Sequence, residues 1–79
     1  MTLRVLGTSW CGDCTRSKAF LTDHAVAFEW TDIELDEGAA AEVERLNGGR
    51  RVVPTILFED GTVLVEPSDE QLGRQLGLD

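Results

Sequence analysis

Two cysteines, Cys11 and Cys14, are the residues best suited to chemistry, and they are the only cysteines in the chain. An apolar run precedes them and a helix-like pattern follows. At the start of a helix, unpaired backbone N–H groups and the positive end of the helix dipole stabilise a thiolate. Because the thiolate is the nucleophile in disulfide exchange, this position predicts that Cys11 is reactive. Cys14, inside the first turn, should be more shielded, as either a resolving thiol or a spectator.

The hydrophobic pattern predicts a small α/β fold around this pair. Short apolar runs between turn residues predict strands, and apolar residues spaced three and four apart predict helices. The expected strands are 3–7, 26–33, 52–58 and 63–65, and the expected helices are about 13–24, 36–46 and a short one after Ser68. A right-handed crossover makes the first two strands parallel, and Asp60-Gly61 predicts a hairpin between the last two. The result is a mixed four-stranded sheet flanked by three helices, in the order β-α-β-α-β-β-α.

Composition limits the classes of partner. With 79 residues, 42% hydrophobic and 28% charged, the chain is expected to form one globular domain over 1–79. Its formal net charge of -8 argues against a nucleic-acid partner. No apolar stretch approaches the roughly 18 residues of a membrane span, and the first residues do not have the pattern of a secretory leader. Two cysteines this close do not make the disulfide scaffold of a secreted protein. We therefore expect a cytoplasmic monomer.

The element order and several motifs resemble the glutaredoxin branch of the thioredoxin superfamily. The most specific parts are Trp-Cys-Gly-Asp-Cys at 10–14, Val-Val-Pro-Thr at 52–55, and Asp-Gly-Thr at 60–62 leading into Pro67-Ser68. Asn-Gly-Gly-Arg at 47–50 is most similar to the mycoredoxin-type glutaredoxins, which use a thiol other than glutathione. The resemblance spans essentially the whole chain. It implies a thioredoxin-like (glutaredoxin) fold and thiol–disulfide oxidoreductase activity.

Three elements of the usual glutaredoxin pattern are missing. Gly12-Asp13 stands where glutaredoxins have Pro-Tyr, and Thr8 stands where they have a lysine. Their Gly-Gly pair before the last helix is replaced by approximately Val65-Glu66. The usual contacts to glutathione are therefore partly missing, and the resemblance does not identify glutathione as the thiol.

The resemblance implies a set of substrate-binding residues around the cysteines. Pro54 matches the cis-proline that faces the active site throughout the superfamily, and Val53 before it would offer backbone groups to an extended substrate. Ser68 and Asp69 stand where glutaredoxins bind the amino group of the thiol, although Ser68 is also explained as a helix N-cap. Trp10 would stack beside the thiol or shape the access of substrates.

Four basic residues fall on segments that flank the two loops of the site: Arg16, Lys18, Arg50 and Arg51. They suggest a local positive patch for the carboxylates of a small thiol, and solvated charges without a ligand are the alternative. We favour a ligand contact for Arg51, next to Val-Val-Pro. His24 has no third or fourth ligand to join the two cysteines, so we expect no metal site and interpret it as a helix-end histidine.

Together these features predict an enzyme that reduces mixed disulfides between oxidised proteins and a low-molecular-weight thiol such as glutathione or mycothiol. Cys11 would be the nucleophile, and Cys14 or a second small thiol would clear the adduct. We expect no metal or organic cofactor, and a disulfide reductase upstream must supply the electrons. The alternative is a dithiol donor to protein disulfides, such as ribonucleotide reductase, which would need both cysteines. A third hypothesis is an iron–sulfur carrier in which Cys11 of two chains and two small thiols hold a [2Fe–2S] cluster.

Overall fold

The computed structural model describes residues 3–78, and the elements within them follow the predicted order. The strands are β1 (Leu3–Gly7), β2 (Phe28–Asp32), β3 (Thr55–Leu57) and β4 (Val63–Val65), and the helices are α1 (Gly12–Asp23), α2 (Glu37–Leu46) and α3 (Asp69–Leu76). The sheet has the strand order β2-β1-β3-β4. β1 and β2 are parallel, and the other neighbouring pairs are antiparallel. The predicted α/β class and mixed sheet are confirmed.

The second strand is shorter than its sequence pattern indicated. We expected a strand over 26–33, whereas β2 begins at Phe28. The reason is that the Val26 backbone N–H donates to the Leu21 carbonyl oxygen at 2.9 Å, so Val26 belongs to the turn that ends α1. An alternating pattern cannot separate the last residues of such a turn from the first residues of the strand.

The third strand is also shorter than the expected 52–58, because its ladder begins only at Thr55. Pro54, immediately before it, has no N–H group to donate to a ladder, so the ladder begins after it. At the other end, the Phe58 N–H donates to the Thr62 carbonyl oxygen at 2.9 Å, which closes the hairpin to β4. Only the middle of the apolar run therefore pairs with β1.

Alternation along β1 sends side chains into two hydrophobic clusters on opposite faces of the sheet. Val5 packs in one cluster with Leu21 of α1 and Leu72 of α3. Leu6, the next residue, packs in the other cluster with Val43 of α2. Successive side chains of a strand point to opposite faces, so this central strand places α1 and α3 on one side of the sheet and α2 on the other.

The carboxyl ends of the parallel strands β1 and β2 lie at one edge of the sheet, and Gly7 ends β1 there. The Ile33 N–H donates to the Gly7 carbonyl oxygen at 2.9 Å and ties the loop after β2 to the end of β1. A Cβ on Gly7 would overlap the Cys14 sulfur and would stand 3.0 Å from the ring of Trp30, which is half-buried. Glycine at this position therefore lets the start of α1 lie directly against the sheet.

We expect Gly7→Ala to lower the free energy of unfolding by about 1–3 kcal/mol, because the added methyl group must displace the Cys14 sulfur or the Trp30 ring. Urea titration of the reduced protein measures this change. Gly12→Ala is the matched control, since its Cβ would meet no atom within 4 Å, and alanine is favoured over glycine inside a helix. Wild-type stability of Gly7→Ala would show that α1 does not need this close approach.

Candidate active site

Cys11 is the N-cap of α1, with an extended backbone at φ -83° and ψ 116°. Its sulfur accepts a hydrogen bond from the Cys14 backbone N–H at a distance of 3.2 Å. The same sulfur lies 3.9 Å from the carbonyl oxygen of Val53, which accepts the S–H of the neutral thiol. Cys11 is 8% exposed. The helix start thus presents a backbone donor to the predicted nucleophile, and such a donor stabilises negative charge on the sulfur.

Cys14 lies one turn into α1 and is fully buried. The pKa of its thiol is raised from an ordinary 9.0 to about 12. Burial is the largest cause and a hydrogen bond with Cys11 adds to it, whereas a backbone hydrogen bond from Thr8 opposes the shift. A thiol with this pKa stays protonated at neutral pH, and a protonated thiol is a poor nucleophile. The two cysteines therefore differ in the way that the sequence predicted, with Cys14 the shielded member of the pair.

The loop before β3 faces Cys11 through its backbone. The Val53–Pro54 peptide bond is cis, as the resemblance implied. The Pro54 carbonyl oxygen accepts a hydrogen bond from the Glu66 N–H at 2.9 Å, which holds the loop between β4 and α3 beside it. Within residues 3–78, the Val53 N–H has no hydrogen-bond partner. The structure thus brings Cys11, Val53 and Pro54 together and leaves one backbone donor of this loop free.

Ser68 is the N-cap of α3 and forms a capping box with Gln71. The Gln71 N–H donates to the Ser68 hydroxyl at 3.1 Å, and the Ser68 N–H donates to the Gln71 side-chain oxygen at 2.8 Å. Asp69 accepts from the Arg16 guanidinium at 2.6 Å, and the same guanidinium donates to the Pro67 carbonyl oxygen at 3.1 Å. Ser68 is therefore a helix N-cap, as the alternative interpretation held. Its role in binding a small thiol stays a prediction.

The structure does not gather the basic residues of the predicted positive patch around one ligand. Arg16 is paired with Asp69, and the Lys18 ammonium lies 3.7 Å above the ring of Trp30. The guanidinium of Arg51 donates to Glu44, which lies on α2, at 2.8 Å, and this hydrogen bond raises the pKa of Arg51. Arg50 is exposed. Three of the four cations thus have a partner of their own, and a ligand role of Arg51 stays a prediction.

Trp10, next to Cys11, is 70% exposed. Its indole N–H donates to the side chain of Glu34 at 3.0 Å, a contact that links the active-site loop to the loop after β2. No sequence motif singles out Glu34. The available signal was topological: because β1 and β2 are parallel and adjacent, the loops that follow them emerge side by side.

Residues 3–63 match the family model described as Glutaredoxin. The chain belongs to the glutaredoxin family. The Mycobacterium tuberculosis protein Rv3198A, named as a candidate glutaredoxin, is 43% identical to it over 74 residues, which are 94% of this chain and 88% of the relative. Mycoredoxin 1 of Corynebacterium glutamicum is 32% identical over 63 residues, 80% of this chain and 77% of the relative. The crystal structure of the glutaredoxin from Methanosarcina mazei has a TM-score of 0.80 and 27% identity, covering 96% of this chain and 78% of that one.

As a member of the glutaredoxin family, the protein is a thiol–disulfide oxidoreductase. The resemblance inferred from the motifs is confirmed, and so is the thioredoxin-like fold that it implied. Both cysteines are free thiols in the structure. The site therefore stands in its reduced form, with Cys11 at the helix start and Cys14 behind it.

Among residues 3–78, no helix has the length and apolar character needed to span a bilayer. Within the same residues, no three or more His, Cys, Asp and Glu side chains are grouped so that they could hold a metal ion. The iron–sulfur hypothesis, in which one cysteine from each of two chains binds a cluster, stays a prediction.

We expect iodoacetamide to modify Cys11 faster than Cys14 by roughly tenfold or more at about pH 8, because Cys14 is buried and has a pKa of about 12. Timed quenching followed by peptide mass spectrometry measures both rates. The same protein unfolded in urea is the control, and there the two sites should react at similar rates. Faster labelling of Cys14 in the folded protein would contradict the assignment of Cys11 as the reactive thiol.

The raised pKa of Cys14 also makes the stability of the reduced protein depend on pH. The folded protein keeps the Cys14 proton at pH values where the unfolded chain has lost it. The contribution of this proton to the free energy of unfolding is therefore complete below pH 9.0 and is lost as the pH rises toward about 12. Between about pH 8 and pH 10, we expect wild type to lose about 1 kcal/mol more than Cys14→Ala in free energy of unfolding. Urea titrations of both proteins under reducing conditions measure the difference. Parallel pH curves would contradict the burial of a neutral thiol.

Proposed function

We propose that this protein reduces mixed disulfides between proteins and a low-molecular-weight thiol, with Cys11 as the only thiol that meets the substrate. The observation that supports this most strongly is the difference between the two cysteines. The Cys11 sulfur has a backbone donor at the helix start, whereas Cys14 is buried and has a pKa of about 12. A substrate that reaches the site meets one activated sulfur.

The proposed reaction has two exchange steps. The Cys11 thiolate attacks the small-thiol sulfur of the mixed disulfide, and the protein cysteine leaves as a thiolate that takes up a proton from water. Cys11 then carries the small thiol. A second small thiol, as its thiolate, attacks that adduct, forms a small-molecule disulfide and releases the Cys11 thiolate. The incoming small thiolate supplies the electron pair, and a disulfide reductase reduces the small-molecule disulfide back to two thiols.

Backbone groups position the substrate in this proposal. The free N–H of Val53 and its carbonyl oxygen, 3.9 Å from the Cys11 sulfur, can pair with the main chain of a cysteine-containing ligand as an added strand does. The Cys14 N–H stays bonded to the Cys11 sulfur and stabilises it whenever Cys11 is the leaving group. No metal or organic cofactor takes part in this scheme. We propose the cytoplasm as its compartment.

Charge supports a neutral thiol as the co-substrate. Glutathione carries two carboxylates and one ammonium group, and two of the arginines on the segments that flank the site, Arg16 and Arg51, are already paired with Asp69 and Glu44. The chain has a net charge of -8, so a thiol with a net negative charge would be repelled. The likeness to Mycoredoxin 1 points in the same direction. We therefore propose a thiol of the mycothiol class.

Comparison of wild type with Cys14→Ser on two substrates tests the proposal. One substrate is a protein–small-thiol mixed disulfide, assayed with glutathione and with mycothiol as reductants, and the other is an intramolecular protein disulfide. We expect Cys14→Ser to retain turnover of the mixed disulfide within about threefold and to lose reduction of the intramolecular disulfide, since only the latter needs a resolving thiol. We also expect mycothiol to support faster turnover than glutathione.

Cys11→Ser is the control and should abolish both activities. If Cys14→Ser loses both activities as well, the protein is a dithiol donor to protein disulfides and the monothiol proposal is wrong. If glutathione supports turnover as well as mycothiol does, the argument from charge is wrong.

A further inference from the structure

Two large apolar side chains stand in solvent at the edge of the sheet that carries Cys11. Trp10 is 70% exposed and Leu35 is 86% exposed. Trp10 adjoins the nucleophile in the chain, and Leu35 adjoins Glu34, whose side chain accepts the hydrogen bond of the Trp10 indole. Burying apolar side chains of this size in a contact is favourable. Their exposure beside a reactive sulfur indicates a contact surface.

The loop that carries Leu35 is held in place by its own hydrogen bonds. The Glu34 N–H donates to the Asp32 carboxylate at 2.9 Å, and the Leu35 N–H donates to the Asp32 carbonyl oxygen at 3.1 Å. The Ile33 N–H donates a hydrogen bond to the carbonyl oxygen of Gly7, at the end of β1. A surface fixed in this way loses little conformational entropy on binding a partner.

The same loop is acidic. Residues 32–37 include four carboxylates and no Lys, Arg or His: Asp32, Glu34, Asp36 and Glu37. Asp32 and Asp36 accept backbone N–H groups, whereas Glu37 is exposed in the first turn of α2. Neither Glu34 nor Glu37 forms an ion pair within residues 3–78, although Arg51 is close enough to Glu34 for the two charges to interact. The two carboxylates lie on either side of Leu35 in the sequence, in a chain with a net charge of -8. Complementary charge across an interface speeds association and selects the partner.

We propose that Trp10, Glu34, Leu35 and Glu37 form a docking surface for the protein half of the disulfide substrate. The polypeptides that fit it carry an apolar residue flanked by Lys or Arg near their cysteine. The inference rests on the proposed function for the identity of Cys11 as the attacking thiol, and it adds the class of protein substrate. A second copy of this chain is a poor occupant, because each copy brings the same negative charge.

Two synthetic peptides of equal length test the docking surface. Each contains one cysteine in a mixed disulfide with 2-mercaptoethanol and one neighbouring leucine, flanked by lysines in one peptide and by glutamates in the other. The rate constant for a single turnover with the reduced protein is divided by the rate constant with dithiothreitol, which removes the intrinsic reactivity of each peptide. We expect the lysine peptide to react faster by roughly tenfold at low ionic strength, and the ratio to approach one in ~1 M salt.

Variants separate the docking surface from the net charge of the protein. Glu34→Gln keeps an acceptor for the Trp10 indole and removes one charge, and Glu37→Gln removes another. Glu59→Gln is the matched control, because Glu59 lies beside Leu3 at the opposite end of β1. We expect the two changes on the docking surface to lower the lysine-to-glutamate rate ratio by roughly twofold to threefold each, and Glu59→Gln to change it far less.

Leu35→Ser tests the apolar part of the surface. This substitution should slow the reaction with the lysine peptide. It should hardly change the rate with a second lysine peptide in which serine replaces the leucine. Equal rate ratios for Glu34→Gln, Glu37→Gln and Glu59→Gln would overturn the proposal, because the preference would then follow net charge alone. A change from dimer to monomer in Leu35→Ser, seen by gel filtration, would also overturn it and would assign the surface to self-association.

Failure of the docking proposal can be distinguished from failure of the proposed function. The peptide assay is a single turnover of reduced protein and contains no physiological small thiol. Failure of the proposed function appears as absent catalysis with glutathione and mycothiol while the peptide preference is intact. Failure of the docking proposal appears as equal normalised rates for the two peptides while catalysis with the small thiol is intact.

Discussion

The hydrogen bond from the Cys14 N–H to the Cys11 sulfur is the interaction on which the site depends. An N-cap side chain satisfies one of the backbone donors that a helix start leaves unpaired, and Ser, Thr, Asp or Asn usually has this role. Here a cysteine has it, so the contact that begins α1 also holds the predicted nucleophile. The close approach of α1 to Gly7 keeps this helix start at the edge of the sheet.

The difference between the two thiols follows from the same helix. Cys11 lies at the N-terminal end of α1, just before the first turn. Cys14 lies on the buried face of the helix together with Ser17 and Leu21. A helix that packs one face on a sheet must bury the residues of that face. The two cysteines of a single motif therefore acquire different environments, one near a backbone donor and one in the interior, and their chemistry differs for that reason.

Long-range pairing decides the charge around the site. Arg16 reaches from α1 to Asp69 and the Pro67 carbonyl oxygen, and Arg51 pairs with Glu44 of α2. These partly exposed pairs add little stability, but they occupy cations that an anionic thiol would need. The carboxylates of the loop after β2 form no ion pair among residues 3–78, although Glu34 and Asp36 interact at longer range with Arg51 and Arg4. A neutral co-substrate and a basic protein substrate are both consistent with this distribution.

Sequence by itself determined the order of the elements, the position of Cys11 at a helix start and the absence of a ladder hydrogen bond from Pro54. Each of these depends on residues close together in the chain, where periodicity, capping and the missing proline N–H act locally. The tertiary structure alone decided which carboxylate pairs with Arg16, and that Glu34 accepts the hydrogen bond of the Trp10 indole. These contacts join segments 24 and 53 residues apart for Trp10 and Arg16. No local pattern specifies such partners, because they depend on how separate elements pack against one sheet.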